Sequence, residues 1–450
     1  MSRLFGTDGV RGVANKELTP ELAFKLGRTG AWVLAQETKH TPKIIVGCDT
    51  RISCDMLESA LVAGICSVGA TAMVCGVVPT PAIAYLVKKY GCDAGVVISA
   101  SHNPYDYNGI KFFSSEGHKL PDSIENEIEE TIHGGEFKVP SPTGAGIGVK
   151  IICEDALVDY VDFVQSTIIT DLRGMKVALD CANGAVSEAA PMLFERLGIS
   201  TTVLSNSPNG TNINDNCGST HMQTLCETVK NGDFDLGIAF DGDADRMLAC
   251  DANGAMIDGD VLMAIVAKDL KERGMLKLDT IVVTVMSNIG LDVFAKENGI
   301  KTVKTKVGDR YVLEEMLCEG YSIGGEQSGH IILLDHNTTG DGLLNCVALL
   351  QVIKRSGISL SENAKIIQIY PQVLVNAKVS NKIKYGYLEV PEIAEMCKQL
   401  EEEFHGEGRV LIRPSGTEPL VRVMIEGKDQ EFITSKATEL AVLIEKHLQG

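Results

Sequence analysis

The 450-residue chain contains no run of about 18 apolar residues, the length a membrane-spanning helix needs, so no transmembrane segment is expected. Met1 to Phe5 open without the apolar stretch of a secretory signal, so cytoplasmic residence is expected. The 13 cysteines are scattered, with no Cys-x-x-Cys pair and no Cys/His cluster of zinc spacing. They read as reduced, mostly buried thiols. No Walker A sequence is present, which removes the support for a nucleotide triphosphatase. The glycines of Pro140–Gly148 follow no strand at the spacing of a dinucleotide fingerprint. Basic residues are outnumbered, 41 against 60, for a net charge of −19. Such a surface repels nucleic acid and anionic membranes, and neither is expected as a partner. It also repels any small anion, so a phosphate-binding site in this chain must gather its cations locally.

What is present is an ordinary globular composition, 44% hydrophobic and 22% charged, enough for several cores at about 100–200 residues per domain. Thr19 followed by Pro20 marks a helix start. Strands are predicted at 43–46, 71–75 and 94–98, with helices at 56–68 and 80–90 between them. That alternation points to a mostly parallel sheet. Similar strand-to-helix passages recur at 176–184 and 280–290, suggesting internal repetition. The last 80 residues or so differ: a strand, a helix at 391–404, strands around Arg409–Arg413 and Leu420–Glu426, and a final helix. The expected fold class is α/β, with three similar mixed α/β domains, largely parallel sheets and a C-terminal α+β domain around a central cleft. The expected boundaries are 1–153, 154–252, 253–368 and 369–450.

Five segments carry candidate chemistry. Ser99–Pro104 (SASHNP) follows a buried apolar strand, where open α/β sheets place ligands. Ser101, with His102 beside it and Lys111 ten residues on, can serve as a nucleophile or phosphoryl carrier; alone, the segment also suits a polar turn. Asp241–Arg246 (DGDADR) sets carboxylates at i, i+2 and i+4 in a tight loop, able to converge on a hard cation. An EF-hand is excluded, because its sixth and twelfth positions would be Arg246 and Ala252. Gly324–His330 (GGEQSGH) offers Glu326 and Ser328 for sugar hydroxyls and His330 for proton transfer or phosphate binding; a plain glycine turn is the alternative. Arg413–Thr417 (RPSGT) supplies Ser415, Gly416 and Thr417 to a phosphate, and Arg413 and Arg422 add bidentate charge. Phe5–Gly12 (FGTDGVRG) presents Arg11 between two turns, as a phosphate contact or as a structural loop.

In this order, and nearly end to end from Phe5 to Gly427, the segments resemble the α-D-phosphohexomutase family. The resemblance implies one loop per domain, for phosphoserine, metal, sugar and phosphate in turn. Ser101 is then the phosphoserine, which with Asp241, Asp243 and Asp245 completes a Mg²⁺ site. Glu326 and Ser328 recognise the sugar, and Arg413, Ser415, Gly416, Thr417 and Arg422 hold the non-reacting phosphate. Lys111 and Arg246 stabilise the transferring group; His330, Lys111 and Arg11, in that order, are expected as acid and base. A sugar 1,6-bisphosphate is implied as primer or intermediate, and a closing C-terminal domain is expected. The FGTDGVRG segment, Gln327, Pro208–Asn214 and Cys217–His221 point to the branch acting on glucosamine phosphates, with a mutase of glucose or mannose phosphates as the alternative. A phosphatase and a silent sugar-phosphate binder are disfavoured, by the second phosphate loop and by the intact site residues respectively. Cys48, where the family often has arginine, and Tyr105–Tyr107 depart from the pattern. The chain is expected as a monomer or homodimer.

Overall fold

The structure is a computed structural model and describes residues 3–6, 8–36, 38–134, 139–415 and 418–448. The Thr19 hydroxyl accepts from the Leu22 amide at 3.3 Å and Pro20 takes the first helical position, starting the helix Pro20–Leu34. That helix packs with the helix Cys54–Ser67 on one face of the first sheet, burying Leu26, Leu57, Leu61 and Ile44.

The first sheet comprises β1 (Val10–Val13), β2 (Lys43–Cys48), β3 (Thr71–Val77), β4 (Ala94–Ile98), β5 (Tyr107–Ser114) and β6 (Lys150–Ile152). Their spatial order is β1-β5-β4-β2-β3-β6. β4, β2, β3 and β6 run parallel; β5 returns antiparallel beside β4, and β1 pairs antiparallel with β5. Every residue of β4 is buried, as a continuous apolar run in a parallel sheet requires.

The second sheet holds β7 (Lys176–Asp180), β8 (Ser200–Leu204), β9 (Leu236–Phe240), β10 (Met247–Asp251) and β11 (Met256–Ile257), ordered β11-β10-β9-β7-β8. The third holds β12 (Thr280–Thr284), β13 (Lys301–Thr305), β14 (Ile323–Gly325) and β15 (Ile331–Leu333), ordered β13-β12-β14-β15. Both have a parallel core closed by an antiparallel return strand, β10 against β9 and β15 against β14. The expected threefold α/β repetition is therefore present, and it has a specific form. A buried parallel strand, a loop and an antiparallel return strand recur as β4–β5, β9–β10 and β14–β15. β14 begins no earlier than Ile323, for a local reason. Gly320, at φ +77°, ends the helix Asp309–Glu319, and the Tyr321 amide turns back to the Met316 carbonyl at 3.0 Å.

The fourth sheet is antiparallel throughout: β16 (Gln372–Lys378), β17 (Gly408–Pro414) and β18 (Leu420–Gly427), ordered β16-β18-β17. The helices Pro391–Phe404 and Gln430–Leu448 bury Ile393, Leu400, Ile433, Leu440 and Ile444 against Val421, Val423 and Ile425. This is the expected α+β domain. The chain forms two compact units, Met1–Met286 with Ile300–Ile366, and Ser287–Gly299 with Ile367–Gly450. The helix Ile289–Glu297 thus belongs with the fourth sheet. The Asn288 side chain ties it there, donating to the Tyr370 carbonyl at 2.9 Å and accepting from the Tyr370 amide at 3.0 Å. Among the described residues no single helix is long and apolar enough to cross a membrane.

Candidate active site

The three repeated loops carry Ser101, the aspartate triplet and Glu326 respectively, each at the carboxyl end of a buried parallel strand. Within the first unit these loops touch. The Ser101 hydroxyl donates to Asp241 Oδ2 at 2.6 Å across 140 residues of sequence. The Met247 amide donates to the Gly329 carbonyl at 3.1 Å. Two glycines permit the approach. A Cβ at Gly242 would lie 2.5 Å from the Ser101 carbonyl oxygen, and one at Gly329, φ +90°, would lie 2.3 Å from that of Met247.

Ser101 is 1% exposed and sits at φ +51°, a left-handed conformation that costs a serine of order 1–2 kcal/mol. The surroundings impose it. The Arg51 guanidinium donates to the carbonyls of Ser101 (2.9 Å), Asn103 (2.8 Å), Tyr107 (3.0 Å) and Pro104. Asn214 donates to those of Ser101 (2.9 Å) and Asn103 (3.1 Å). Asp49 pairs with Arg51 at 2.9 Å and accepts from Ser99 Oγ at 2.6 Å, which in turn accepts the Ser101 amide at 3.0 Å. Cys48, one residue earlier, is buried with its thiol directed at the Gly76 carbonyl. His102 is half-buried with Nδ1 3.4 Å from Ser101 Oγ. Burial, then Arg246 and Arg11, holds its imidazole below the usual histidine range.

Asp241, Asp243 and Asp245 are 1%, 0% and 4% exposed. One oxygen from each lies within 4.8 Å of the others. Lys111, on β5 and itself buried, reaches Asp243 at 2.9 Å and Asp245 at 3.7 Å. Thr80 Oγ1 donates to Asp243 at 2.7 Å. Burial alone would raise the Asp243 carboxyl, but Lys111 and the Thr80 hydroxyl outweigh it and hold it well below the carboxylate range. Asp241 moves the other way: burial, with Asp245 and Asp243 nearby, pushes its carboxyl up. Burial likewise opposes the charge on Lys111, yet Asp243 and Asp245 prevail and raise it, so the ammonium persists. Asp243 Oδ1 and Asp245 Oδ1 are buried with no hydrogen-bond partner among the described residues. Three buried carboxylates so close together, two of them with orphaned oxygens, can hold a hard divalent cation, and their all-oxygen donor set fits Mg²⁺.

Around this centre stand groups with varied partners. Arg246 approaches Asp245 at 3.8 Å. His330, 2% exposed, has Nε2 3.3 Å from Asp309 and 3.9 Å from Asp245. Lys119 pairs with Asp309 and, at 2.7 Å, with Asp8, which also pairs with Arg11 at 2.9 Å. Glu326 accepts from the Gly308 amide at 3.1 Å. Ser328 Oγ is buried without a partner among the described residues, leaving it free for a ligand hydroxyl. Gln327 donates to Asp258 at 3.1 Å. Arg51, Asn214, Thr80, Lys119 and Asp309 were not among the sequence candidates; Asn214 lies in the Pro208–Asn214 segment, which had drawn notice as a branch marker, and Arg51 lies three residues after Cys48, noted as a departure from the family pattern.

In the second unit, Arg413 on β17 and Arg422 on β18 are directly opposed cross-strand partners. Like charges so placed destabilise a sheet unless an anion sits between them. Burial, then Arg422, lowers the Arg413 pKa. Arg422 also pairs with Glu418 at 2.9 Å. Ser415 is buried, its hydroxyl accepting the Glu418 amide at 3.1 Å and its carbonyl accepting from Lys384. Gly416 and Thr417 lie outside the described residues.

Sequence models of the phosphoglucomutase/phosphomannomutase domains match in chain order: α/β/α domain I over residues 2–139, α/β/α domain II over 158–254, α/β/α domain III over 258–370 and the C-terminal domain over 374–442. A phosphoglucosamine mutase of Ruminiclostridium cellulolyticum is 64% identical over 448 residues, covering 100% of both chains. A phosphoglucomutase/phosphomannomutase family protein of Burkholderia thailandensis shares the fold with a TM-score of 0.81 at 23% identity, covering 99% of this chain and 98% of that one. An Aspergillus fumigatus N-acetylphosphoglucosamine mutase, solved with GlcNAc-6P and magnesium, shares it with a TM-score of 0.72 at 16% identity, covering 99% and 96%. With four domains matched in order and a full-length relative at this identity, the chain belongs to the phosphoglucomutase/phosphomannomutase family of α-D-phosphohexomutases.

Proposed function

We propose that the protein is an isomerase interconverting glucosamine 6-phosphate and glucosamine 1-phosphate, through a phosphoserine at Ser101 and a glucosamine 1,6-bisphosphate intermediate. The full-length identity to a phosphoglucosamine mutase supports the substrate. The observation that carries the chemistry is the Ser101 hydroxyl held against the aspartate triplet.

Asp241, Asp243 and Asp245, with an oxygen of phospho-Ser101, would hold Mg²⁺, which supplies neutralising charge to the transferring phosphoryl group. Arg51 and Asn214 fix the Ser101 backbone so that its side chain faces the incoming hydroxyl. Lys111 acts as a fixed cation beside the phosphoryl oxygens; its raised pKa disfavours the role of base. His330, 3.3 Å from Asp309, is the leading candidate to take the proton from the attacking sugar hydroxyl while the departing Ser101 Oγ takes up one; in the second half-reaction Ser101 Oγ gives its proton up as it attacks, and the departing sugar oxygen takes one. His102, 3.4 Å from Ser101 Oγ, and Arg11 assist, and Arg246 adds charge. Glu326 and Ser328 bind sugar hydroxyls, and Arg413, Ser415, Gly416, Thr417 and Arg422 grip the phosphate that is not reacting. The domain limits 1–153, 154–252, 253–368 and 369–450 and a cytoplasmic location complete the reading.

The test compares glucosamine 6-phosphate, glucose 6-phosphate and mannose 6-phosphate with a bisphosphate primer, for the wild type and Ser101→Ala. The wild type should prefer the amino sugar, and the variant should lose turnover while keeping its circular dichroism. Preference for glucose or mannose phosphate overturns the substrate; full activity of the alanine variant overturns the phosphoserine.

A further inference from the structure

Away from the three loops, the edge of the first sheet carries a second reactive arrangement. β6 is the edge strand and pairs in parallel with β3, with Met73 opposite Ile151 and Val74 opposite Ile152. The ladder continues one bond beyond β6, the Cys153 amide donating to the Val74 carbonyl at 2.8 Å. The next register step sets Cys75 beside Cys153. Neighbouring parallel strands lie about 4.8 Å apart, inside the Cα separation of about 4.4–6.8 Å that a disulfide requires. Both cysteines are partly exposed. All three residues of β6 are exposed, and nothing pairs with its outer side among the described residues. The strand therefore has freedom to shift as a bond closes. Gly76, next to Cys75, is at φ +68°, and a Cβ there would meet nothing within 4 Å.

We propose that Cys75 and Cys153 form a reversible disulfide, a modification site that responds to hydroperoxides.

The chemistry of the pair selects the order of events. A hydrogen bond from the Cys75 thiol holds Cys153 down to about 7, so a large share of it is thiolate at neutral pH. Every other cysteine whose thiol is shifted is pushed up, by burial, by a neighbouring thiol or by a carboxylate. Cys318, the most exposed, is held up by Glu319. Cys92 lies near the pair but is buried, and its thiol donates to Met73 Sδ at 3.5 Å.

The Cys153 thiolate attacks one oxygen of the peroxide. The O–O bond breaks, the departing hydroxide takes a proton to become water, and Cys153 is left as a sulfenic acid. The Cys75 sulfur then attacks the Cys153 sulfur. The S–O bond breaks, the released hydroxide takes the Cys75 proton as a second water, and the S–S bond forms. The two thiols lose two electrons and the peroxide gains them.

The link would pin the sheet edge where the chain passes into the helix Ala156–Ser166. On the other side, Cys75 lies five residues before Thr80, whose hydroxyl bonds Asp243.

The experiment treats the full-length protein with a few equivalents of hydrogen peroxide, alkylates the remaining thiols, digests and maps by mass spectrometry. A peptide pair joining Cys75 to Cys153, about 2 Da lighter than the two thiol peptides and released by dithiothreitol, is the expected result. In Cys75→Ser, Cys153 should instead accumulate as a sulfenic acid captured by dimedone. Cys153 recovered as free thiol, driven to sulfinic acid, or joined to Cys92 or to a second chain in the wild type overturns the proposal.

Discussion

Lys111→Met tests the electrostatic design of the site most directly. Lys111 Nζ lies 2.9 Å from Asp243 and 3.7 Å from Asp245, with all three groups buried. At an effective dielectric of about 20, a pair at these separations attracts by roughly 6 and 4.5 kcal/mol, before the cost of desolvation is subtracted. Removing one partner of such a buried pair costs about 3–5 kcal/mol, because the remaining charges stay buried and uncompensated. Methionine fills most of the lysine stem's volume, so the loss reports charge rather than a cavity. The only tryptophan, Trp32, packs against the core of the first sheet, in which β5 carries Lys111. Its fluorescence in urea therefore reads the affected region.

In EDTA the variant should lose about 3–5 kcal/mol. Magnesium should recover part of that, since removing a cation that repels the ion tightens its binding. A tenfold gain in affinity adds about 1.4 kcal/mol at saturation. A loss below about 1 kcal/mol in EDTA, the size of an exposed pair, would refute the buried-pair reasoning. An identical magnesium-induced shift in variant and wild type would refute placing the metal at the triplet.

Arg51→Lys keeps the charge but not the fork that reaches four carbonyls; kcat should fall about 100-fold through misplacement of Ser101, and an unchanged kcat in steady-state assay refutes this. Glu125 is 8% exposed, and burial, only partly offset by Arg310 and Arg3, raises its carboxyl from 4.5 to about 7. The folded state therefore binds the proton more tightly than the unfolded state, and this group's contribution to stability falls as pH rises from 4.5 to 7. Glu125→Gln should match the wild type near pH 4.5 and exceed it by up to about 3 kcal/mol at pH 8; a pH-independent difference in denaturation midpoints refutes it. Arg422→Ala should raise KM by about 10–100-fold with kcat nearly unchanged, and an effect confined to kcat would assign the arginine elsewhere.

The loops were legible in sequence because each follows a buried apolar strand, and apolar runs ended by polar residues survive without any alignment. β4 has the limits read from sequence, as has the helix Pro391–Phe404. What escaped is what distance along the chain conceals. Thr80 reaches Asp243 across 163 residues, and Lys119 reaches Asp309 across 190. A threonine before proline at a helix start, or a lysine after a histidine, carries no local sign of such a partner. Nor does composition announce that Ser101 and Ala244 adopt positive φ. A non-glycine residue is held there by tertiary contacts, which Arg51 and Asn214 provide for Ser101. The place of the helix Ile289–Glu297 beside the fourth sheet was hidden for the same reason: its pattern suits any α/β unit, and tertiary bonds such as the Asn288–Tyr370 exchange and that from Arg409 to the Ser287 carbonyl hold it there.

The net charge of −19 demanded a local surplus of cations wherever a phosphate binds, and the structure sharpens where that surplus lies. Around Ser101 stand Arg11, Lys111, Lys119 and Arg246, but Asp8, Asp241, Asp243, Asp245 and Asp309 stand among them and pair with most of them. Four cations against five carboxylates leave no surplus for a dianionic phosphoryl group. The raised Asp241 carboxyl and the orphaned oxygens of Asp243 and Asp245 express the same deficit. A divalent ion would remove it, so on the proposed function a metal requirement is the expected consequence of the charges at the site. At β17 and β18 the balance is reversed. Arg413 and Arg422 face each other with Glu418 as the carboxylate paired to Arg422, leaving a cation in excess that an anion can satisfy without any metal. On the proposed function the two regions would therefore rest on different physics: a metal-completed acidic pocket where the phosphoryl group must leave again, and a direct arginine grip where it need only be held.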